Sequence, residues 1–261
     1  MKNDQKMKIQ KISETLFIPL VARAGEMSRK DSVIRDEKAV EFLKKVDTSG
    51  LIVDGGSISS LGILARTKVI DEEVQKILSS CMNAVIINLG AGLDTRYDRI
   101  SSQKVRWYDL DLPEVIELRK QFVENKSIHF IGKSVLDESW TGDITVTEHD
   151  KVIIIAEGLL MYFNKEDVRK IFHMITVAFP NAHIFFDVVH TFFVNKKISS
   201  KFLWGIDKAS DLEALDSHIK LVQSWSMGNL LKKRQPVILR LLNILPSTRN
   251  RSQIIHLMAK A

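Results

Sequence analysis

Four short, almost wholly apolar runs constrain the fold of this 261-residue chain more than any other feature. They are Ala84-Val-Ile-Ile-Asn-Leu89, Val105-Arg-Trp-Tyr-Asp109, Val152-Ile-Ile-Ile-Ala156 and His183-Ile-Phe-Phe-Asp-Val-Val189. A shorter fifth is Ile128-His-Phe-Ile131. Segments with helical spacing lie between them, notably Pro113–Glu124 and Lys165–Phe179. Pro113 suits a helix start, where its missing N–H would be unpaired anyway. Asn164 reads as an N-cap, and Pro180 ends the segment that follows it. Continuous apolar strands alternating with helices predict a parallel sheet covered on both faces, a doubly wound α/β fold.

The flanks depart from this rhythm. Residues 1–80 predict a helical cover, with helices over Ile12–Arg23, Asp36–Lys45 and Ser57–Leu78 and a turn at Gly55-Gly56. Residues 191–235, rich in aromatics at Phe192-Phe193, Phe202, Trp204 and Trp225, read as a lid-like insertion. The amphipathic stretch Val237–Leu245 reads as a core helix and Ser252–Met258 as a final strand. No Pro/Gly/Ser linker divides the chain, so 1–261 is expected to be one domain, with 81–190 as the cofactor-binding core and 236–261 as a C-terminal helix and strand.

No stretch reaches the roughly 18 uninterrupted apolar residues of a membrane span, and the first apolar cluster, Leu16–Ala22, is a poor signal peptide. Cys81 is the only cysteine, which suits a reducing compartment; a cytoplasmic protein without a membrane partner is the expectation. The net charge of +6 admits an anionic partner. The basic tracts lack the interleaved aromatics of a single-strand-binding surface, which argues against nucleic acid. The oligomeric state is not legible.

The segment Asn88-Leu-Gly90-Ala-Gly92-Leu-Asp94-Thr-Arg96 directly follows the first strand. Its glycines let the backbone turn sharply and approach a ligand. The third glycine of a dinucleotide fingerprint is replaced by Thr95, while Asp111 stands at the end of the second strand, where a carboxylate can accept both hydroxyls of a ribose. Together these features point to a nucleoside cofactor held without a pyrophosphate, and S-adenosylmethionine fits better than NAD. Gly132-Lys133-Ser134 lacks the earlier glycine of a phosphate loop. No zinc spacing and no nucleophile elbow occur, so no metal is expected.

The segments Asn88–Arg96, Trp107-Tyr-Asp-Leu-Asp-Leu-Pro113 and Ala156-Glu-Gly-Leu-Leu-Met-Tyr162 resemble the leucine carboxyl methyltransferase family. The bacterial branch related to the polyketide O-methyltransferases is the nearer likeness, running from about Glu14 onward and including Ile34-Arg-Asp-Glu-Lys-Ala39 and Trp204-Gly-Ile-Asp207. The resemblance implies a Rossmann-like class I methyltransferase that uses S-adenosylmethionine. It assigns Arg66 to the cofactor's methionine carboxylate, Gly90, Ala91 and Gly92 to the loop beside the methionine part, and Asp111 with Leu112 to the ribose. Ser134, Val135 and Leu136 would border adenine, although many relatives carry Asp where this chain has Ser134 or the nearby Asp137. Glu157, with Gly158, would lie near the amine or sulfonium.

Methyl transfer needs an aligned nucleophile and exclusion of water. A carboxylate acceptor is ionised at neutral pH, whereas a phenol would be helped by a base. His190 is the candidate base, or else an ordinary hydrogen-bonded histidine. Tyr162 is expected to face the acceptor or to be a core tyrosine with its hydroxyl satisfied, and Arg23 or Arg96 to position an anionic acceptor or to form ion pairs. Trp204, Phe202 and Trp225 line an apolar pocket or simply pack. The leading expectation is an O-methyltransferase acting on a small, polyketide-like acid or alcohol. A nucleic-acid methyltransferase and a non-catalytic cofactor-binding protein are the alternatives.

Overall fold

The computed structural model describes residues 16–46, 58–100, 105–123, 127–196 and 202–260. The turn expected at Gly55-Gly56 and the first residues of the expected Ile12–Arg23 helix lie outside them. Strands form where the apolar runs stand: β1 Ala84–Leu89, β2 Val105–Asp111, β3 Ile128–Gly132, β4 Lys151–Ala156 and β5 His183–Val189. Two more follow, β6 Ile219–Ser226 and β7 Ser252–Ala259. They build one sheet in the order β3-β2-β1-β4-β5-β7-β6. β1 to β5 run parallel, and β7 enters antiparallel between β5 and β6. The chain order reverses between β1 and β4, the place where open α/β sheets leave a crevice at their carboxyl ends.

Alternate residues of each strand feed two separate cores. Val85, Ile87 and Leu89 join Ile154, Phe172, Phe186 and Trp204 on one face. Ala84 and Ile86 join Trp107, Ile153 and Phe185 on the other. That second face is closed by α1 Phe17–Glu26, α2 Glu37–Lys44 and α3 Ile58–Ser79, which send Phe17, Leu20, Phe42, Ile70 and Val74 into it. These three helices form one layer of the fold. The first layer is closed by α6 Lys165–Ala178, which follows the short α4 Arg96–Ile100 and α5 Pro113–Lys120 in the chain. Asn164 caps α6, its side chain accepting from the Asp167 N–H at 2.9 Å.

Two expectations about the later half change. The insertion read over 191–235 contains β6, an edge strand with a single buried side chain, Ile219, and therefore no unbroken apolar run. Trp204, Ile206, Leu212, Leu215 and Ile219 pack into the main core, so Trp204 stabilises the sheet rather than lining an acceptor pocket. Trp225 lies within β6. The predicted core helix Val237–Leu245 is the second correction. Its helical part is α7, Val237–Leu242, and Val237, Ile238, Leu241, Leu242, Ile244 and Leu245 are all exposed. No helix among the described residues is long and apolar enough to cross a membrane.

Candidate active site

The carboxyl ends of β1, β2 and β4 bring the sequence-predicted residues to one edge of the sheet. After β1 the chain turns through Gly90 and Gly92, both left-handed with φ of +63° and +47°. The N–H groups of Gly90 and Ala91 both donate to the Leu110 carbonyl, at 2.8 and 3.1 Å, tying the loop to β2. Asp111 faces this loop directly. One carboxylate oxygen accepts from the Gly92 N–H at 2.8 Å and the other from Leu112 N–H at 2.7 Å. Burial pushes the Asp111 carboxyl up, against the pull of those two N–H donors. Leu112 opens the helix that begins at Pro113, α5 Pro113–Lys120.

The second carboxylate of this strand end has a different task. Asp109 is fully buried and accepts from Arg119 Nε at 2.8 Å, Trp107 Nε1 at 2.9 Å and Asn88 Nδ2 at 3.2 Å. Arg119 also donates to the Gly92 carbonyl at 3.1 Å, so the pair braces the glycine turn from below. After β3, the Ser134 hydroxyl accepts from the Leu136 N–H at 3.2 Å, and the Val135 carbonyl accepts from Trp140 Nε1 at 3.1 Å. Asp137 caps the short 3₁₀ turn that follows.

At the end of β4, Glu157 accepts from Arg66 Nε at 2.9 Å, from the Thr67 hydroxyl at 3.2 Å and from Arg96 Nη2. Burial opposes its ionisation, but the guanidinium groups of Arg96 and Arg66 outweigh this and hold the carboxyl below its usual range. Gly158 is left-handed at φ +68°, and a Cβ there would stand 3.0 Å from Arg66 Nη2. Arg66 also donates from Nη1 to Asp187 at 2.8 Å, and Asp187 accepts from the Gly158 N–H at 2.5 Å. Nη2 of Arg66 has no partner among the described residues.

Asp187 and Asp71 were not anticipated as site residues. The available signal for Asp187 was a lone carboxylate inside the otherwise apolar β5. Arg96 is completely buried and donates to Asp71, Asp94 and Glu157, and Arg99 reaches Asp71 and Asp36. Arg96, Arg99 and Arg23 hold Asp94 far below the ordinary carboxylate range despite its burial. Arg23 is only 2% exposed; its Nε donates to Asp36 at 2.9 Å. The structure thus places Arg23 and Arg96 inside an ion-pair lattice, because both guanidinium groups are already engaged by carboxylates, rather than on an open acceptor surface. Tyr162 is 42% exposed and meets Phe202 at 5.7 Å between ring centroids.

The lattice has a sign. Arg23, Arg66, Arg96 and Arg99 stand against Asp36, Asp71, Asp94, Glu157 and Asp187, leaving one net negative charge. The methionyl end of S-adenosylmethionine carries an ammonium and a sulfonium against one carboxylate. The donor set therefore complements that group in net charge, and Arg66 Nη2 is available to a carboxylate.

A family model for leucine carboxyl methyltransferase matches residues 17–176, which span the glycine turn, Asp111 and Glu157. The chain belongs to this family. It is an S-adenosylmethionine-dependent methyltransferase, and S-adenosylmethionine is its cofactor. Among curated relatives, the tetracenomycin polyketide synthesis O-methyltransferase TcmP of Streptomyces glaucescens is 28% identical over 83% of each chain. The S-adenosyl-L-methionine-dependent methyltransferase dpfgK of Gibberella zeae is 26% identical over 77% of each. Two solved structures share the fold at a TM-score of 0.57. One is a DUF574 family protein from Streptomyces avermitilis, 10% identical, covering 92% of this chain and 97% of that one. The other is a candidate methyltransferase from Thermobifida fusca, 15% identical, covering 94% and 95%.

Proposed function

We propose that this methyltransferase acts on an oxygen of a small, polyketide-like acceptor, and that the oxygen belongs to a carboxylate. The observation that carries the carboxylate reading is the state of His190, the candidate base. Its Nδ1 accepts from the Phe192 N–H at 3.1 Å, and its Nε2 faces Asp207 at 3.5 Å. A neutral ring in that setting carries its proton on Nε2, so no free lone pair points at an acceptor. A carboxylate needs none, being ionised at neutral pH. The small-molecule, oxygen-directed reading draws on the likeness to TcmP.

In this reading Arg66 holds the methionine carboxylate, Asp111 and Leu112 hold the ribose, and Ser134, Val135 and Leu136 border the adenine. Gly90, Ala91, Gly92 and Gly158 allow close backbone approach, and Glu157 sets the negative field beside the amine. When bound, the cofactor supplies a methyl group already activated on a sulfonium. Tyr162 flanks the acceptor with its exposed ring. Arg23 acts through Asp36 and Thr95, positioning the lattice. The single cysteine is consistent with a cytoplasmic setting.

Methyl-labelled cofactor and a panel of organic acids and phenols test this. A methyl ester releases methanol in alkali, whereas an aryl ether does not. The expected product is alkali-labile and forms at a rate that stays flat from about pH 6 to 8, because the acceptor is already ionised. An alkali-stable product whose rate climbs with pH would refute the carboxylate assignment.

A further inference from the structure

The net positive charge of the chain comes from residues 217–261. Residues 217–261 hold eight Lys and Arg and no Asp or Glu, while the preceding 216 residues hold 30 basic and 32 acidic side chains. The whole excess of +6 therefore belongs to this stretch. The β6–β7 connection, residues 227–251, carries six of these cations. Ser226 of β6 pairs with Gln253, and Ser252 of β7 pairs with Val189 at the end of β5. The connection therefore leaves the sheet at the same edge as the cofactor-site strand ends.

Its side chains are arranged inside out. The buried members of 235–245 are polar: Gln235 donates to the Gly228 and Leu230 carbonyls at 3.2 and 2.7 Å, and Asn243 donates to Gln235 Oε1 at 3.1 Å. The aliphatic members face outward, with Val237, Ile238, Leu241, Ile244 and Leu245 each more than half exposed. Arg234 is clamped to Glu26, which docks the connection on the end of α1. Lys232, Lys233, Arg240 and Arg251 are exposed and form no ion pair among the described residues. A fixed polar underside with an outward aliphatic ridge and a basic rim is not the surface of an isolated soluble protein.

We propose that residues 232–245 form a docking surface for an anionic lipid bilayer. The aliphatic ridge enters the headgroup boundary and the lysines and arginines meet lipid phosphates, the pairing by which interfacial amphipathic elements hold to membranes. Charge decides between occupants. A second copy of this chain, joined through the same surface, would set its basic rim against an identical one. Nucleic acid would match the charge but leave the aliphatic ridge without a partner. Docking in this way turns the carboxyl edge of the sheet toward the lipid, so an apolar acceptor dissolved there reaches the site without crossing water. This surface is independent of the acceptor chemistry proposed above.

Co-sedimentation with phosphatidylcholine vesicles, with and without phosphatidylglycerol, tests the assignment. The intact protein is expected to pellet only with the phosphatidylglycerol vesicles and to be released by high salt. Lys232→Ala with Lys233→Ala weakens the partition about thirtyfold. Ile238→Asn with Leu241→Asn also weakens it, while leaving the melting temperature and cofactor titration unchanged, since these side chains touch solvent. No pelleting with anionic vesicles would overturn the proposal. So would self-association that the Ile238→Asn, Leu241→Asn pair disperses, or binding to RNA that displaces vesicles and ignores that pair.

Discussion

Replacing Asp187 by Asn perturbs the site without changing its shape. In the native protein one Asp187 oxygen accepts from the Gly158 N–H and the other from Arg66 Nη1. An asparagine can keep one of these bonds, but its amide nitrogen then faces the remaining donor. Arg66 keeps Glu157, so the guanidinium is not left unpaired. A hydrogen bond to a charged group contributes about 1.5–3 kcal/mol. Breaking a buried pair outright costs about 3–5 kcal/mol. Arg66 is 15% exposed at its side chain and retains one partner, so the lower range applies, about 2 kcal/mol. For a chain of this size that corresponds to a melting temperature lower by about 4–8 °C. The charge lost also leaves the lattice neutral, so S-adenosylmethionine should weaken more than S-adenosylhomocysteine, whose sulfur is uncharged. Thermal melting and parallel calorimetric titrations measure both effects. An unchanged melting temperature, or equal losses for the two ligands, would refute the view of this lattice as a charge-matched cradle.

Three further outcomes follow from the same geometry. Asp111→Ala removes the acceptor for Gly92 N–H and, with it, the carboxylate proposed to hold the ribose, and should weaken cofactor binding by about 1–3 kcal/mol in calorimetry. Gly158→Ala forces a Cβ into a left-handed backbone 3.0 Å from Arg66 Nη2. Strain of about 1–3 kcal/mol is expected, and cofactor affinity should fall while affinity for methylthioadenosine, which lacks the methionine carboxylate, changes less. His256 lies 2.9 Å from His183 Nδ1, and burial depresses its pKa to about 4. The unfolded chain binds the extra proton between about pH 6.5 and 4, so this contribution is full above 6.5 and lost as pH falls through 4. His256→Leu should flatten the decline in melting temperature across that window.

The strands were legible because burial on both faces leaves an unbroken apolar run, as in Val152–Ala156. β6 was not, since an edge strand with one fully buried side chain carries polar residues at four of its eight positions and so shows no unbroken apolar run. Periodicity marked Val237–Leu245 as two-faced, but it does not say which face is covered; here Gln235 and Asn243 turn the polar one inward. The glycine turn and Asp111 were readable because their chemistry is local to two strand ends. The arginine lattice was not, since its bonds join positions as distant as Arg66 and Asp187, 121 residues apart. For Arg23 and Arg96 the sequence left ion pairing and acceptor contact open, because apart from Asp94 the carboxylates that engage them arrive from other segments, Asp36, Asp71 and Glu157.

The place of β7 in the sheet has a consequence for how the chain reaches its native state. β7 follows every other strand in sequence yet stands between β5 and β6. Until it leaves the ribosome, β5 presents an open strand edge and β6 has no partner in the sheet. Phe185, Phe186 and Trp225 meanwhile lack neighbours such as Ile254 and Ile255. An open apolar edge of this kind is a template for pairing with other chains. Completion of this half of the fold therefore waits until β7 has been made and slots between its two neighbours.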